Sequence, residues 1–173
     1  MWHWVRDTVR VRRARKAAAD MLVPIVEQSR ARLGGISEAV WSDPYITGLV
    51  VMLISVVARV EGGEFSERAL FRIQHGAWHD ITSVRDSGIA ERFMLLNKGR
   101  DRDFELGCHN AAAFALVLFS TKEMLEGAGV PLVDTLLDSP VAQREDVREA
   151  WSQCFDAYIC ARANDPVGCR DQL

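Results

Sequence analysis

The run Tyr45–Ala58, YITGLVVMLISVVA, limits what this chain can fold into more than any other segment. It lies between Asp43-Pro44 and Arg59, and only Thr47, Gly48 and Ser55 interrupt its apolar character. A helix that is apolar on every side must be covered all round, by protein or by lipid. Length decides between them. At about 1.5 Å per residue the run's fourteen residues span about 21 Å, short of the ~30 Å hydrocarbon core, and Asp43 and Arg59 would be drawn into lipid. The run is therefore read as the buried central helix of a globular fold. Asp43 suits its N-cap, Pro44 its first turn, and Gly62-Gly63 its end.

A chain of 173 residues can bury a sizeable core as one domain. Its 49% apolar and 26% charged content is that of an ordered globular protein. No internal repeat, low-complexity tract or Gly/Ser-rich linker divides it, so residues 1–173 are expected to form a single helical domain. Cys108, Cys154, Cys160 and Cys169 show no Cys-x-x-Cys spacing, and the amino terminus lacks the apolar stretch of a secretory signal. Reduced thiols and a cytoplasmic location are the expectation.

Helical periodicity extends through the rest of the chain. Residues 2–32 read as one helix, with a basic arm at 1–16, Leu22, Ile25, Val26 and Leu33 on its docking side, Pro24 as a kink or true start, and Gly34-Gly35 as its stop. Phe65 to about Arg85 carries Leu70, Ile73, Ala77, Ile81 and Val84 in one narrow sector, with Ser66 as N-cap. A short helix follows from Ile89 to Lys98, ending at Gly99. The next, about Asp101 to Leu125, contains AAAFALVLF at 111–119 and is again apolar all round. Its alanines should let it lie close against the Tyr45 helix. A turn at 127–131 and an irregular piece to Asp138 lead to a last helix, about Val141 to Ala163, with Val147, Trp151, Cys154, Phe155 and Tyr158 on one face; residues 164–173 read as a frayed tail. Strand alternation is absent from the pattern. The expected fold is an all-α bundle of about six helices with two central apolar ones, 45–60 and 104–120.

Four residues make up the sharpest catalytic candidate. His75 and His79 are four apart, as are Glu105 and His109, so two helices could offer three imidazoles and a carboxylate to zinc or iron. The helical wheel opposes this. With Leu70 at zero the apolar stripe centres near roughly 340°, while His75 and His79 fall near roughly 140° and 180°, on an outward face shared with Arg68, Arg72, Ser83 and Asp86. Arginines repel a cation, and bundle metal sites use inward-facing ligands. Solvated histidines and no cofactor are expected. Asp101-Arg102-Asp103-Phe104-Glu105 resembles the start of a calcium loop, but Leu106 stands where the loop needs glycine and Ala112 where it needs glutamate. Helix capping by Asp101 and Asp103 accounts for it better. Cys108 and His109 diverge by about 100° on a helix and cannot act as a nucleophile–base pair. Phosphate-loop, dinucleotide and nucleophile-elbow motifs do not occur.

The amino-terminal arm points to a partner. Trp2, Trp4, Arg6, Arg10, Arg12, Arg13, Arg15 and Lys16 place indoles beside six cations, opposed only by Asp7. The arm thus carries about +5, and a chain of net charge −3 leaves about −8 elsewhere. A protein partner, or the acidic body of a second copy, would accept such an arm, and so would an anionic membrane surface. Nucleic acid is disfavoured, because the acidic body opposes a polyanion and no recognition module is present. The sequence therefore reads as a non-enzymatic protein-interaction or assembly factor able to self-associate. The alternatives are a metal-dependent enzyme using His75, His79, Glu105 and His109, or a peripheral membrane protein attached through the arm.

Overall fold

Helix punctuation acts where the residue types require it. In the computed structural model, which describes residues 2–84, 88–120 and 143–164, the first helix, α1, spans Trp2–Arg32 and stops at Gly34 and Gly35, both at positive φ. A 3₁₀ turn, Glu38–Ser42, leads to α2, Pro44–Gly62. The Asp43 carboxylate accepts the first-turn amide of Tyr45 at 2.9 Å, and Gly63 ends the helix at φ 73°. Helix α3, Glu67–Thr82, is capped by Ser66; α4 is Ile89–Gly99; α5, Arg102–Leu118, is capped by Asp101. The last rod is α6, Glu145–Trp151, a π turn, Ser152–Asp156, and α7, Ala157–Asn164. Among the described residues every regular element is helical, so the fold is all-α.

Helix α2 is the central element. It packs against α5, α1 and α3, and most of its residues from Tyr45 to Ala58 are buried. By length and composition it could cross a membrane, but 67% of its most apolar stretch is covered by the rest of the protein. The predicted partnership with the 104–120 helix is present, although glycines rather than alanines set its closeness. A Cβ on Gly107 would lie 2.1 Å from the Tyr45 carbonyl oxygen, and one on Gly48 would lie 2.3 Å from that of Phe104. Backbone cannot yield to such a clash, so both positions require a bare Cα. Ala111 is fully buried on the same side of α5.

An aromatic column completes the core. Trp151 stacks on Phe155 with centroids 4.5 Å apart, Phe114 meets Trp151 at 5.3 Å, and Trp41 bridges Phe155 at 5.9 Å and Trp78 at 6.2 Å. Rings at such distances gain about 0.5–1.5 kcal/mol per pair beyond simple burial. The column ties the 3₁₀ turn, α3 and α5 to the last rod.

The structure departs from the sequence reading in several places. Helix α1 is the single helix expected over 2–32, and Pro24 is not its start: Leu22, Ile25 and Val26 are buried on either side and hold both turns to the core. Helix α3 ends at Thr82, short of Arg85: Thr82 Oγ1 accepts the Val84 amide at 3.1 Å, and Ser83 adopts the left-handed conformation that closes the helix. Helix α5 is not covered all round, since Ala112, Ala113 and Leu116 are exposed. The last rod starts at Glu145 rather than Val141; Val141, the 127–131 turn and the 165–173 tail lie outside the described residues.

Candidate interaction surface

Most of the basic residues on α1 are already neutralised by the protein itself. Arg10 Nε donates to the Gly62 carbonyl at 2.7 Å, its Nη2 donates to the Glu64 carbonyl, and its guanidinium lies 4.3 Å from the Phe65 ring centre. It thereby satisfies carbonyls at the end of α2. Arg13 pairs with Glu61 at 2.5 Å. Arg15 forms a two-pronged pair with Asp80 at 2.7 and 2.8 Å, which raises its pKa, chiefly through the hydrogen bond itself. Gly76 makes room for it, because a Cβ there would meet Arg15 Cδ at 2.6 Å. Lys16 pairs with Asp20, while Arg12 is exposed. Ala14 and Ala18 are buried and Arg10, Arg13 and Arg15 reach α2 and α3, so this part of α1 lies against the body. The side chains of Trp2, Trp4 and Arg6 lie outside the described part.

The proposed metal ligands are not brought together. His75 is exposed on α3, and the ring of His79 sits 3.4 Å from the Val84 carbonyl. Glu105 and His109 are exposed on α5, and both helices pack against α2. Among the described residues no three metal-ligating side chains gather.

Two polar networks hold the last rod in place. In the first, Trp151 Nε1 donates to Ser29 Oγ at 2.8 Å, Ser29 donates to Asp156 Oδ1 at 2.5 Å, and Arg32 pairs with Asp156 at 2.7 Å. A π turn closes over five residues instead of four, so it brings Asp156 round to the side of Trp151. In the second, Tyr45 and Tyr158 stack at 3.9 Å. Tyr45 donates to the Cys154 carbonyl at 2.7 Å and accepts from Asn110 at 2.9 Å. Tyr158 donates to Asp43 at 3.1 Å, and Arg162 reaches both Asp43 and Asp103 at 3.3 Å. Burial and Asp43 push the Tyr158 phenol up to about 12, and burial pushes the Cys154 thiol up to about 12. Tyr45 and Cys108 are also raised by burial. All four stay protonated at neutral pH, which makes them poor bases and nucleophiles.

The outward face of α3 is different. Arg68, Phe71, Arg72 and His75 are all exposed, and successive turns place them in one sector about 100° wide. Arg68 and Arg72 have no ion-pair or hydrogen-bond partner among the described residues, and Phe71 between them is 42% exposed. Like charges one turn apart destabilise a helix by a few tenths of a kcal/mol, and none of the described residues relieves this pair. Arg59 is exposed on the last turn of α2, and one turn earlier Ser55 accepts a 2.9 Å hydrogen bond from Gln74 of α3. Beside the face is a small cleft of about 10 Å³, lined by Val51, Gln74, His75, Ile89 and Phe93.

In the sequence, Arg68 and Arg72 stand on this face only as an argument against metal. The available signal was a pair of arginines at i and i+4 around an exposed phenylalanine, with no acid at the matching positions of the helix. No protein-family model matches the chain, and neither a curated protein nor a solved structure matches it significantly.

Proposed function

We propose that this protein is a non-enzymatic interaction or assembly factor whose α3 face receives an acidic, amphipathic helical segment of a protein partner. The observation that carries this reading is the Arg68–Phe71–Arg72 constellation, without ion pairs among the described residues, on a molecule that pairs Arg13, Arg15, Arg32, Arg144 and Arg162 with its own carboxylates. Carboxylates one helical turn apart match the spacing of Arg68 and Arg72, and each guanidinium can hold a carboxylate by two parallel bonds. An apolar side chain from the partner would lie on Phe71 and at the mouth of the cleft lined by Phe93 and Ile89. A net charge of −3 opposes the long-range approach of a polyanion such as nucleic acid or an anionic bilayer. A short acidic helix meets far less of that repulsion.

The test is fluorescence anisotropy with a labelled helical peptide carrying glutamates at i and i+4 beside a leucine, and with its glutamine counterpart. The glutamate peptide is expected to bind the wild-type protein. Binding should fall at least tenfold in Arg68→Glu/Arg72→Glu and clearly in Phe71→Ala, with thermal unfolding unchanged. Absence of binding, equal binding by the glutamine peptide, or tighter binding of a single-stranded oligothymidylate to the same face would overturn it.

A further inference from the structure

The seam between α1 and α3 exposes a further unpaired cation. Arg10 meets Phe65 just before α3, and Arg15 meets Gly76 and Asp80 farther along it, so the two helices run in the same direction. Arg12 lies about one turn before Arg15, and Arg72 about one turn before Gly76. The two arginines therefore stand level across the seam. Arg12 is about 60° round α1 from Arg15, and Arg72 about 40° round α3 from Gly76. Both are exposed, so each rotation is outward and the two side chains edge the same groove. Packed helices lie about 8–10 Å apart axis to axis, which lets two long side chains on facing edges reach one ligand.

Arg12 has no ion pair among the described residues, whereas Arg13, Arg15 and Lys16 beside it pair with Glu61, Asp80 and Asp20. One turn away on its own helix stand Thr8, Val9, Arg15 and Lys16, none of them an acid. Around Arg72 the corresponding positions are Arg68, Ala69, His75 and Gly76. Asp80 does reach the seam, but Arg15 binds both of its carboxylate oxygens. Arg12, Arg68 and Arg72 thus repel one another with no free carboxylate between them among the described residues.

We infer that Arg12 is a third cation of the partner-binding face. It selects acidic helices that carry an extra carboxylate on the flank away from their apolar side chain. This rests on the proposed acidic-helix partner of α3. Phe71 lies on the same side as Gln74 and His75, which line the cleft with α4, while Arg12 lies across the Arg68–Arg72 stripe on the α1 side. A partner helix with glutamates at i and i+4 over that stripe, and a leucine at i+1 over Phe71, turns its position i+3 toward α1. The leucine fixes the direction of docking, so position i+3 always faces Arg12. Position i+2 points away from the protein.

Three labelled helical peptides test this by fluorescence anisotropy on the full chain. The first has glutamates at i and i+4 and a leucine at i+1; the second adds a glutamate at i+3, and the third adds it at i+2 instead. The last two carry equal charge. The wild type is expected to bind the i+3 peptide about threefold more tightly than the i+2 peptide, within the range of an exposed ion pair. Arg12→Gln should bind the two equally, with thermal unfolding unchanged because Arg12 holds no partner among the described residues. Equal binding of the two by the wild type, or a preference that survives in Arg12→Gln, would remove the role of Arg12 and leave the α3 reading standing. No binding by any of the three peptides would overturn both.

Discussion

Helices α1 and α3 both carry arginines at helical spacing, and the fold treats them oppositely. On α1, Arg10 ends on the carbonyls that finish α2, Arg13 on Glu61 and Arg15 on Asp80. On α3, Arg68 and Arg72 point to solvent with no partner among the described residues. The difference does not lie in arginine content. Helix α1 crosses α2 and α3 along its length, so Arg10, Arg13 and Arg15 meet acids and a helix end of those elements. Arg68, Phe71 and Arg72 on the outer face of α3 are exposed, with no ion pair among the described residues. A basic stretch in a sequence therefore does not locate a basic surface, since the stretch with more charge is the one the fold consumes.

The largest expected effect concerns the frame on which both helices are mounted. Gly107→Ala would drive a Cβ into the Tyr45 carbonyl and the Leu49 amide at 2.1 and 2.9 Å. It should cost about 4 kcal/mol in urea unfolding, as severe overpacking does. Next comes the most buried partner of the paired arginines. Asp156→Ala leaves Arg32 and Ser29 without their acceptor and should cost about 3 kcal/mol. The same substitution at an exposed acid such as Glu67 should stay within about 0.5 kcal/mol. If the two cost the same, the paired arginines do not stabilise the fold.

Alkaline titration sharpens the comparison at Arg162, whose partner Tyr158 is itself titratable. Tyr158 rises from 10.0 to about 12 and Cys154 from 9.0 to about 12 on folding. The folded state therefore holds protons that the unfolded state has lost over this range. Their contribution is complete below about pH 9, declines as pH rises from about 9 to 12, and is gone above it. Thermal unfolding from pH 8 to 11 should show a falling midpoint, and Tyr158→Phe should flatten the fall. A midpoint that does not move would contradict both shifts. The smallest effect is on α3 itself: Arg72→Ala should raise stability by a few tenths of a kcal/mol through relief of its repulsion with Arg68. A measurable loss would mean that Arg72 already has a structural partner.

The site was less legible in the sequence than the fold, for a physical reason. Caps and stops act within about four residues, so Asp43, Ser66, Asp101 and the glycine pairs at 34–35 and 62–63 could be read directly. Apolar periodicity likewise marked α2, α3 and the Val147–Trp151–Phe155 side of the last rod. The π turn could not be read this way, because local spacing favours an uninterrupted α-helix there. Distant packing makes the turn worthwhile, since Asp156 meets Ser29 only through it.

By itself, then, the sequence determined that the chain is helical, where most helices begin and end, and that Tyr45–Ala58 is its buried centre. These follow from hydrogen-bonding and burial rules that operate along a few turns of chain. The tertiary structure decided which charges remain available. Arg13 finds Glu61 across 48 residues and Arg15 finds Asp80 across 65, distances over which sequence spacing carries no information about contact. It also decided that Gly48 and Gly107, rather than alanines, set the α2–α5 approach, and that Ala112, Ala113 and Leu116 of α5 are exposed. Each of these depends on how whole helices cross, and a crossing is settled by the fit of two surfaces that no local segment contains.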